Sequence, residues 1–257
     1  MNFDVLDKEM RIYEQSLDQY ILPELYLVVR LDGRSFTKLT KETCNFEAPF
    51  DEKFRNLMIE TTKAVMECGF NVVYGYTESD EISLLFEKNC DTFSRKTRKI
   101  NSILAGEASV AFSMAAGVRG TFDCRVVPLP NIQRVKDYFL WRQEDAHRNS
   151  LNSWCYWTLR KEGLSKNKAT AMLSGKSVSF KNELLFERGI NYNNLPLWQK
   201  RGVGFYYEDF EKEGFDPVKQ EKTMTMRRAI KVDLDIPTGE EYANLIGNLL
   251  EKDRGKQ

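Results

Sequence analysis

Apolar positions change period several times along the chain, and each change marks an element. Residues 4–19 read as an exposed, charged helix. Leu27, Val28 and Val29 then lead through Arg30 and Leu31 to Asp32 in a strand over 24–32, which Gly33 breaks. From Asp51, the residues Phe54, Leu57, Met58, Thr61 and Val65 recur at helical spacing, and the pattern stops at Cys68-Gly69, where glycine is the expected terminator. Two strands, 70–76 and 80–86, follow around a Thr77-Glu78-Ser79 turn. A long helix over 94–116 is basic in its first turns and apolar later, at Ile103, Leu104, Ala108, Ala111 and Phe112. Phe122 opens a fourth strand, 122–127, that Pro128 and Pro130 should stop.

This order, β-α-β-β-α-β, predicts an α+β fold of the ferredoxin-like kind. The remainder predicts a helical C-terminal region with a β-hairpin: a long amphipathic helix over 131–160, shorter pieces at 166–173 and 181–186, paired strands at 202–210 and 224–232, and a last helix at 238–251. The expected division is a catalytic unit over 1–135, including the N-terminal helix, and a helical and hairpin region over 136–257 packed on it as one compact unit.

In a ferredoxin-like sheet the first and third strands are antiparallel neighbours, so the end of one lies beside the start of the other. That brings Asp32 and Asp80 together although they are remote in sequence. Two carboxylates about 4 Å apart repel by about 4 kcal/mol at an effective dielectric of about 20. Such a pair takes up a proton or binds a divalent cation. Carboxylates that bridge two Mg²⁺ serve phosphoryl and nucleotidyl transfer. Asp32-Gly33 alone reads first as a strand-ending turn; together with Asp80 on adjacent strands the metal reading is the better one. Gly33 removes a Cβ, so a triphosphate can approach its backbone, and its carbonyl is a candidate ligand. Glu81 should point away from Asp80 in a regular strand, as a supporting residue.

Composition narrows the picture. The 257 residues hold 38 Lys+Arg against 38 Asp+Glu, so a nucleic-acid partner must be held by local patches and not by net charge. Arg95, Lys96 and Lys99 on the first turns of one helix, with Arg98 beside them and Lys88 upstream, form one candidate phosphate patch. Lys222, Arg227, Arg228 and Lys231 form another. Five scattered cysteines without a CxxC pair fit reduced thiols. His147 is the only histidine, which leaves no His-based triad or zinc site. LSGKS at 173–177 lacks the first glycine of a Walker motif. No apolar run reaches membrane-spanning length, so a cytoplasmic protein with no membrane partner is expected.

VVRLDGRSF, the S-D-E of YTESDEISLLF, FDCRVVPLP, YFLWRQEDAHRN, FKNELLF and INYN, in this order from about Leu25 to Tyr207, resemble the tRNA(His) guanylyltransferase family and its guanylyltransferase-like members. The resemblance implies a polymerase-type palm that works in the 3′–5′ direction. ATP activates the tRNA 5′-monophosphate, and the 3′-hydroxyl of an incoming GTP or other nucleotide then attacks with loss of AMP. It further implies that Asp32, the Gly33 carbonyl and Asp80 hold two Mg²⁺ with Glu81 beside them, and that Asp32, Gly33, Arg34, Ser35, Phe36, Thr37, Ser79 and Asp80 contact nucleotide, together with His147 and Asn149. Arg95, Lys96, Lys99, Lys181 and Asn182 would meet a triphosphate or tRNA, and the protein would be a homotetramer. Where eukaryotic members carry H-I-N-N-L-Y-N, this chain has His147-Arg148-Asn149-Ser150-Leu151-Asn152-Ser153, and Ala48 stands where they are basic. These departures resemble the guanylyltransferase-like branch. The expectation is therefore templated repair of tRNA 5′ ends, with addition of a single G to tRNA(His) as the alternative.

Overall fold

The computed structural model describes residues 2–216 and 221–254. An exposed helix α1 (Phe3–Gln15) precedes β1 (Tyr26–Gly33), a short α2 (Phe36–Lys38) that continues as a π-helical turn, and α3 (Glu52–Met66). Next come β2 (Val72–Glu78), β3 (Glu81–Phe86), α4 (Thr97–Ala116) and β4 (Phe122–Leu129). The helical region holds α5 (Ile132–Lys161), α6 (Lys166–Leu173), α7 (Val178–Phe186) and α8 (Leu197–Arg201). β5 (Val203–Asp216), β6 (Glu221–Asp233) and α9 (Gly239–Arg254) complete the chain. The strands form one antiparallel sheet in the order β4-β1-β3-β2-β5-β6. Its first four strands are the ferredoxin-like core, and the hairpin extends the sheet beyond β2.

Both faces of this sheet are covered, which is why β1 reads as a nearly unbroken apolar run. Leu27, Val29 and Leu31 pack toward α3 and α4 with Met58, Val65, Leu104 and Phe112. Tyr26 and Val28 pack toward α5 and α9 with Val135, Phe139, Tyr242 and Ile246. The α5 face changes character along its length. Period-two alternation carries it from Tyr26 and Val28 to Arg30 and Asp32, and the cross-strand partners run Leu85, Ser83, Glu81. Helix α5 follows suit, from Val135 and Phe139 to a buried Arg142. The polar end of this gradient is where the site forms. Beyond it, the second half of α5 packs with α6 and α7 through Leu151, Cys155, Leu159, Leu173 and Leu185.

Several expected boundaries move, each for a local reason. β2 continues to Glu78, which pairs with Glu81, so the turn is Ser79-Asp80 and not residues 77–79. Ser79 takes the left-handed conformation, φ 49, that a tight two-residue connection demands. Asp80 therefore sits at the turn tip and does not open β3. Strand β4 passes through Pro128, because an edge strand tolerates a residue without an N–H. Helix α4 starts at Thr97 and not at 94, since Phe93, Ser94 and Arg95 all have left-handed backbone. Helix α7 starts at Val178, where Ser177 accepts from the Phe180 N–H at 3.2 Å, earlier than the expected 181.

Candidate nucleotidyl-transfer site

The ends of β1 and the β2–β3 turn meet as the topology requires. The Gly33 N–H donates to the Asp80 carbonyl at 3.0 Å, and Asp32 lies opposite Glu81 in the register. A Cβ built on Gly33 would fall 2.8 Å from the Asp80 Cβ and 2.5 Å from the Phe36 ring, so only glycine fits where the turn crosses the strand. Asp32 and Asp80 both line a cavity of about 370 Å³ that runs from this turn to α5 and α8.

Charge in this corner is unbalanced. Arg30 reaches Asp32 at 3.3 Å and Glu81 at 3.6 Å. Buried Arg142 lies 2.8 Å from Glu81, 2.7 Å from Asp145 and 3.7 Å from Glu78, and its guanidinium also stacks on Trp141. Its Nε meets Glu81 as an ion pair, without the alignment of a hydrogen bond. Burial opposes the charge on Arg142, yet Glu81, Asp145 and Glu78 hold the guanidinium above its ordinary value. Burial pushes the Glu78 carboxyl up to about 8, with Glu81 adding to the effect. Burial also raises Glu81, while Arg142 and Arg30 work against the rise. Asp80 is raised by burial and then by the neighbouring Asp32. Among the described residues no Lys or Arg pairs with Asp80.

A half-buried carboxyl beside a second one, with no protein cation of its own, is a fit for a divalent ion. Among the described residues no three His, Cys, Asp or Glu side chains converge as a ready cage. Mg²⁺ takes few protein ligands and keeps several waters, so two carboxylates and a backbone carbonyl at a bare glycine suit it.

The other expected residues divide. Ser79 and Asn149 line the cavity, Ser79 with its Oγ 3.2 Å from Asp80 and Asn149 donating to Asp145 at 3.3 Å. Glu81 lines it too, but shares its face with Asp32 and is held by Arg142, so it belongs to the supporting charge network. Phe36 is 2% exposed and packs on Phe112 and Phe122 at ring distances of 4.8 and 4.9 Å; its ring is core and does not line the cavity. Arg34 is exposed, and Ser35 and Thr37 border a neighbouring depression. His147 packs edge-on against Tyr192 at 5.6 Å, outside the cavity lining.

The basic cluster is not brought to the carboxylates. Arg95 is buried and its guanidinium donates to the carbonyls of Pro23 and Leu25 at 2.8 and 2.7 Å. Lys96 pairs with Asp18 at 2.9 Å, whereas Lys99 is exposed on α4. Lys181 and Asn182 lie on α7, Asn182 donating to the Val178 carbonyl at 3.1 Å, and neither lines the cavity. On the hairpin, Lys231 pairs with Glu208, Lys222 with Glu213, and Arg228 stacks on Tyr207.

Sequence reasoning missed Arg30, Glu78, Arg142 and Asp145, and the wall formed by 46–51 with Trp157 and Trp198. Asp51 organises that wall: it accepts from the N–H groups of Glu47, Lys53 and Phe54 at 2.8, 2.7 and 3.1 Å. Arg30 and Arg142 stand inside VVRLDGRSF and YFLWRQEDAHRN, but a lone arginine carries no signal until its carboxylate partners are known.

The sheet and its helices form an α+β palm, with a carboxylate-lined cavity where β1 meets the β2–β3 turn. The sequence profile described as tRNAHis guanylyltransferase matches residues 7–130, and that of the Thg1 C terminal domain matches 133–238. A tRNA(His) guanylyltransferase of Debaryomyces hansenii is 33% identical over 92% of this chain and 93% of its own length. The crystal structure of the Saccharomyces cerevisiae tRNA(His) guanylyltransferase superposes with a TM-score of 0.69 at 31% identity, covering 75% of this chain and 90% of that one. A bacterial Thg1-like protein solved with GTP and with ATP gives TM-scores of 0.68 and 0.70 at 27% and 26% identity, each covering 98% of this chain and 96% of the other. The chain belongs to the tRNA(His) guanylyltransferase family. No helix among the described residues is long and apolar enough to cross a membrane.

Proposed function

We propose that this enzyme adds a guanosine nucleotide to the 5′ end of tRNA(His) after ATP-dependent activation of the 5′-phosphate. The observation that carries the reading is that Asp32 and Asp80, brought together where Gly33 bonds the β2–β3 turn, line one cavity. Asp32, Asp80 and the Gly33 carbonyl would hold two Mg²⁺. When bound, the ions neutralise phosphate charge and favour the attacking and leaving oxygens. Ser79 orients the triphosphate together with the backbone of 33–37, a role carried from the resemblance, and the wall of Phe46, Phe50, Trp157 and Trp198 excludes water from the base. Arg142 keeps Glu78 and Glu81 in place so that Asp80 meets no further free carboxylate.

The relatives' names speak for the narrower of the two sequence-based expectations, single G addition to tRNA(His). One feature favours the second reading, templated repair: Arg148, Ser150, Asn152, Ser153 and Ala48 depart from the eukaryotic pattern, and Ala48, Ser150 and Ser153 line the cavity. The test supplies Mg²⁺, ATP and labelled GTP or another labelled nucleotide. Substrates are 5′-monophosphorylated tRNA(His) without its extra G, and other tRNAs lacking their first nucleotide with the opposing base varied. Guanylation of tRNA(His) alone, whatever base opposes, is expected. Incorporation that follows the opposing base on any truncated tRNA establishes repair instead, and no incorporation on either sinks both readings. Homotetrameric assembly, carried from the resemblance, would show in light scattering as four times the 30.0 kDa chain mass.

A further inference from the structure

A second depression, of about 530 Å³, opens beside the nucleotide cavity and shares Lys41 and Trp157 with it. These two residues form the common wall: the Lys41 ammonium lies 5.0 Å over the Trp157 ring. The rest of the depression is built from distant parts of the chain. Lys38 comes from α2, Tyr156 and Arg160 from the end of α5, and Lys166 from the start of α6, with Glu42 as the one acid in the lining. Tyr156 stacks edge-on against Trp157 at 5.4 Å, which fixes both rings on the helix. Among the described residues Lys38, Arg160 and Lys166 enter no ion pair, unlike Lys96, Lys222 and Lys231.

Unpaired cations interleaved with fixed aromatic faces match single-stranded nucleic acid, whose phosphates follow a basic track while its bases stack. A double helix, with its bases turned inward, would meet only the cations. We infer that this depression holds the unpaired 3′-terminal strand of the acceptor stem, threading past Lys41 and Trp157 so that the adjacent 5′ end reaches Asp32 and Asp80. The inference rests on tRNA being the substrate and extends that reading to a strand and a place.

The test measures fluorescence anisotropy of two labelled acceptor-stem duplexes, one with an unpaired 3′ overhang and one blunt, over a range of salt. The wild-type protein should bind the overhang form about tenfold more tightly. The K38A/R160A/K166A variant should lose that preference, and its salt slope on the overhang form should fall by about 2, at roughly 0.7 for each single-strand phosphate no longer neutralised. GTP affinity, measured alongside, should be unchanged and reports folding. The exposed single variants K38A and K166A supply the same comparison with less perturbation. A triple variant that binds GTP normally and still prefers the overhang overturns the assignment, whether or not the protein incorporates GTP. Failure of incorporation by the wild-type protein, with the overhang preference intact, counts against the proposed reaction and leaves the depression as an RNA site.

Discussion

Gly33 is a residue of the site whose replacement the structure tolerates poorly. An added methyl group would collide with the buried Phe36 ring at 2.5 Å and with Asp80 Cβ at 2.8 Å. Gly33→Ala should therefore cost about 1–3 kcal/mol in denaturant unfolding, and should cut incorporation more than stability alone explains, because Asp80 moves. Asp80→Asn answers a different question. It removes a charge and keeps the shape, so the fold should hold while nucleotide incorporation falls by several orders of magnitude. Normal turnover by Asp80→Asn would remove the residue from the chemistry. Arg142 is the converse case. Arg142→Met leaves Glu78, Glu81 and Asp145 facing one another without their guanidinium, and a buried pair broken on one side costs about 3–5 kcal/mol. Thermal unfolding should show this as a large loss, and an unchanged midpoint would mean the network contributes little.

At the scale of elements, two side chains tie segments together. Asp51 caps α3 and also accepts from the Glu47 N–H, so it fixes the 46–50 wall to the helix start. Asp51→Ala should lower stability by about 1–2 kcal/mol and raise the KM for nucleotide together with it. Asp18 ties the segment after α1 to α4 through Arg98 and Lys96, and the hydrogen bonds from Arg98 first and Lys96 next hold its carboxyl below the usual 3.8. A carboxyl with a lowered folded value contributes stability above its unfolded value and loses it as pH falls through the lowered one. The tie should therefore open only in acid, below about pH 4. Hydrogen exchange at residues 16–21 should rise there, and rise at neutral pH in Asp18→Asn. Exchange that is indifferent to both changes would contradict the tie.

At the scale of the whole molecule, the sequence revealed most where one physical signal dominates. The apolar run at 27–29 and the stop at Gly33 marked β1, and the β-α-β-β-α-β order placed β1 beside β3, so the Asp32–Asp80 meeting was legible from the chain alone. Pairing of the hairpin with β2 was not, because edge addition leaves no mark in the periodicity of either strand. The basic run at 95–99 misled for a related reason: charge count does not reveal that Arg95 turns inward through three left-handed residues to bind carbonyls of the segment before β1. The Arg142 network and the 46–51 wall depend on neighbours far apart in sequence, which no local pattern encodes. Function as proposed requires Asp32 and Asp80 to share a divalent cation with a triphosphate. The most direct measurement is Mn²⁺ binding, followed by electron paramagnetic resonance with GTP present, in the wild-type protein and in Asp32→Asn and Asp80→Asn. The wild-type protein should bind Mn²⁺ beyond what GTP alone binds, and each variant should weaken that binding by about a hundredfold or more. Equal Mn²⁺ binding by the wild-type protein and both variants would contradict it.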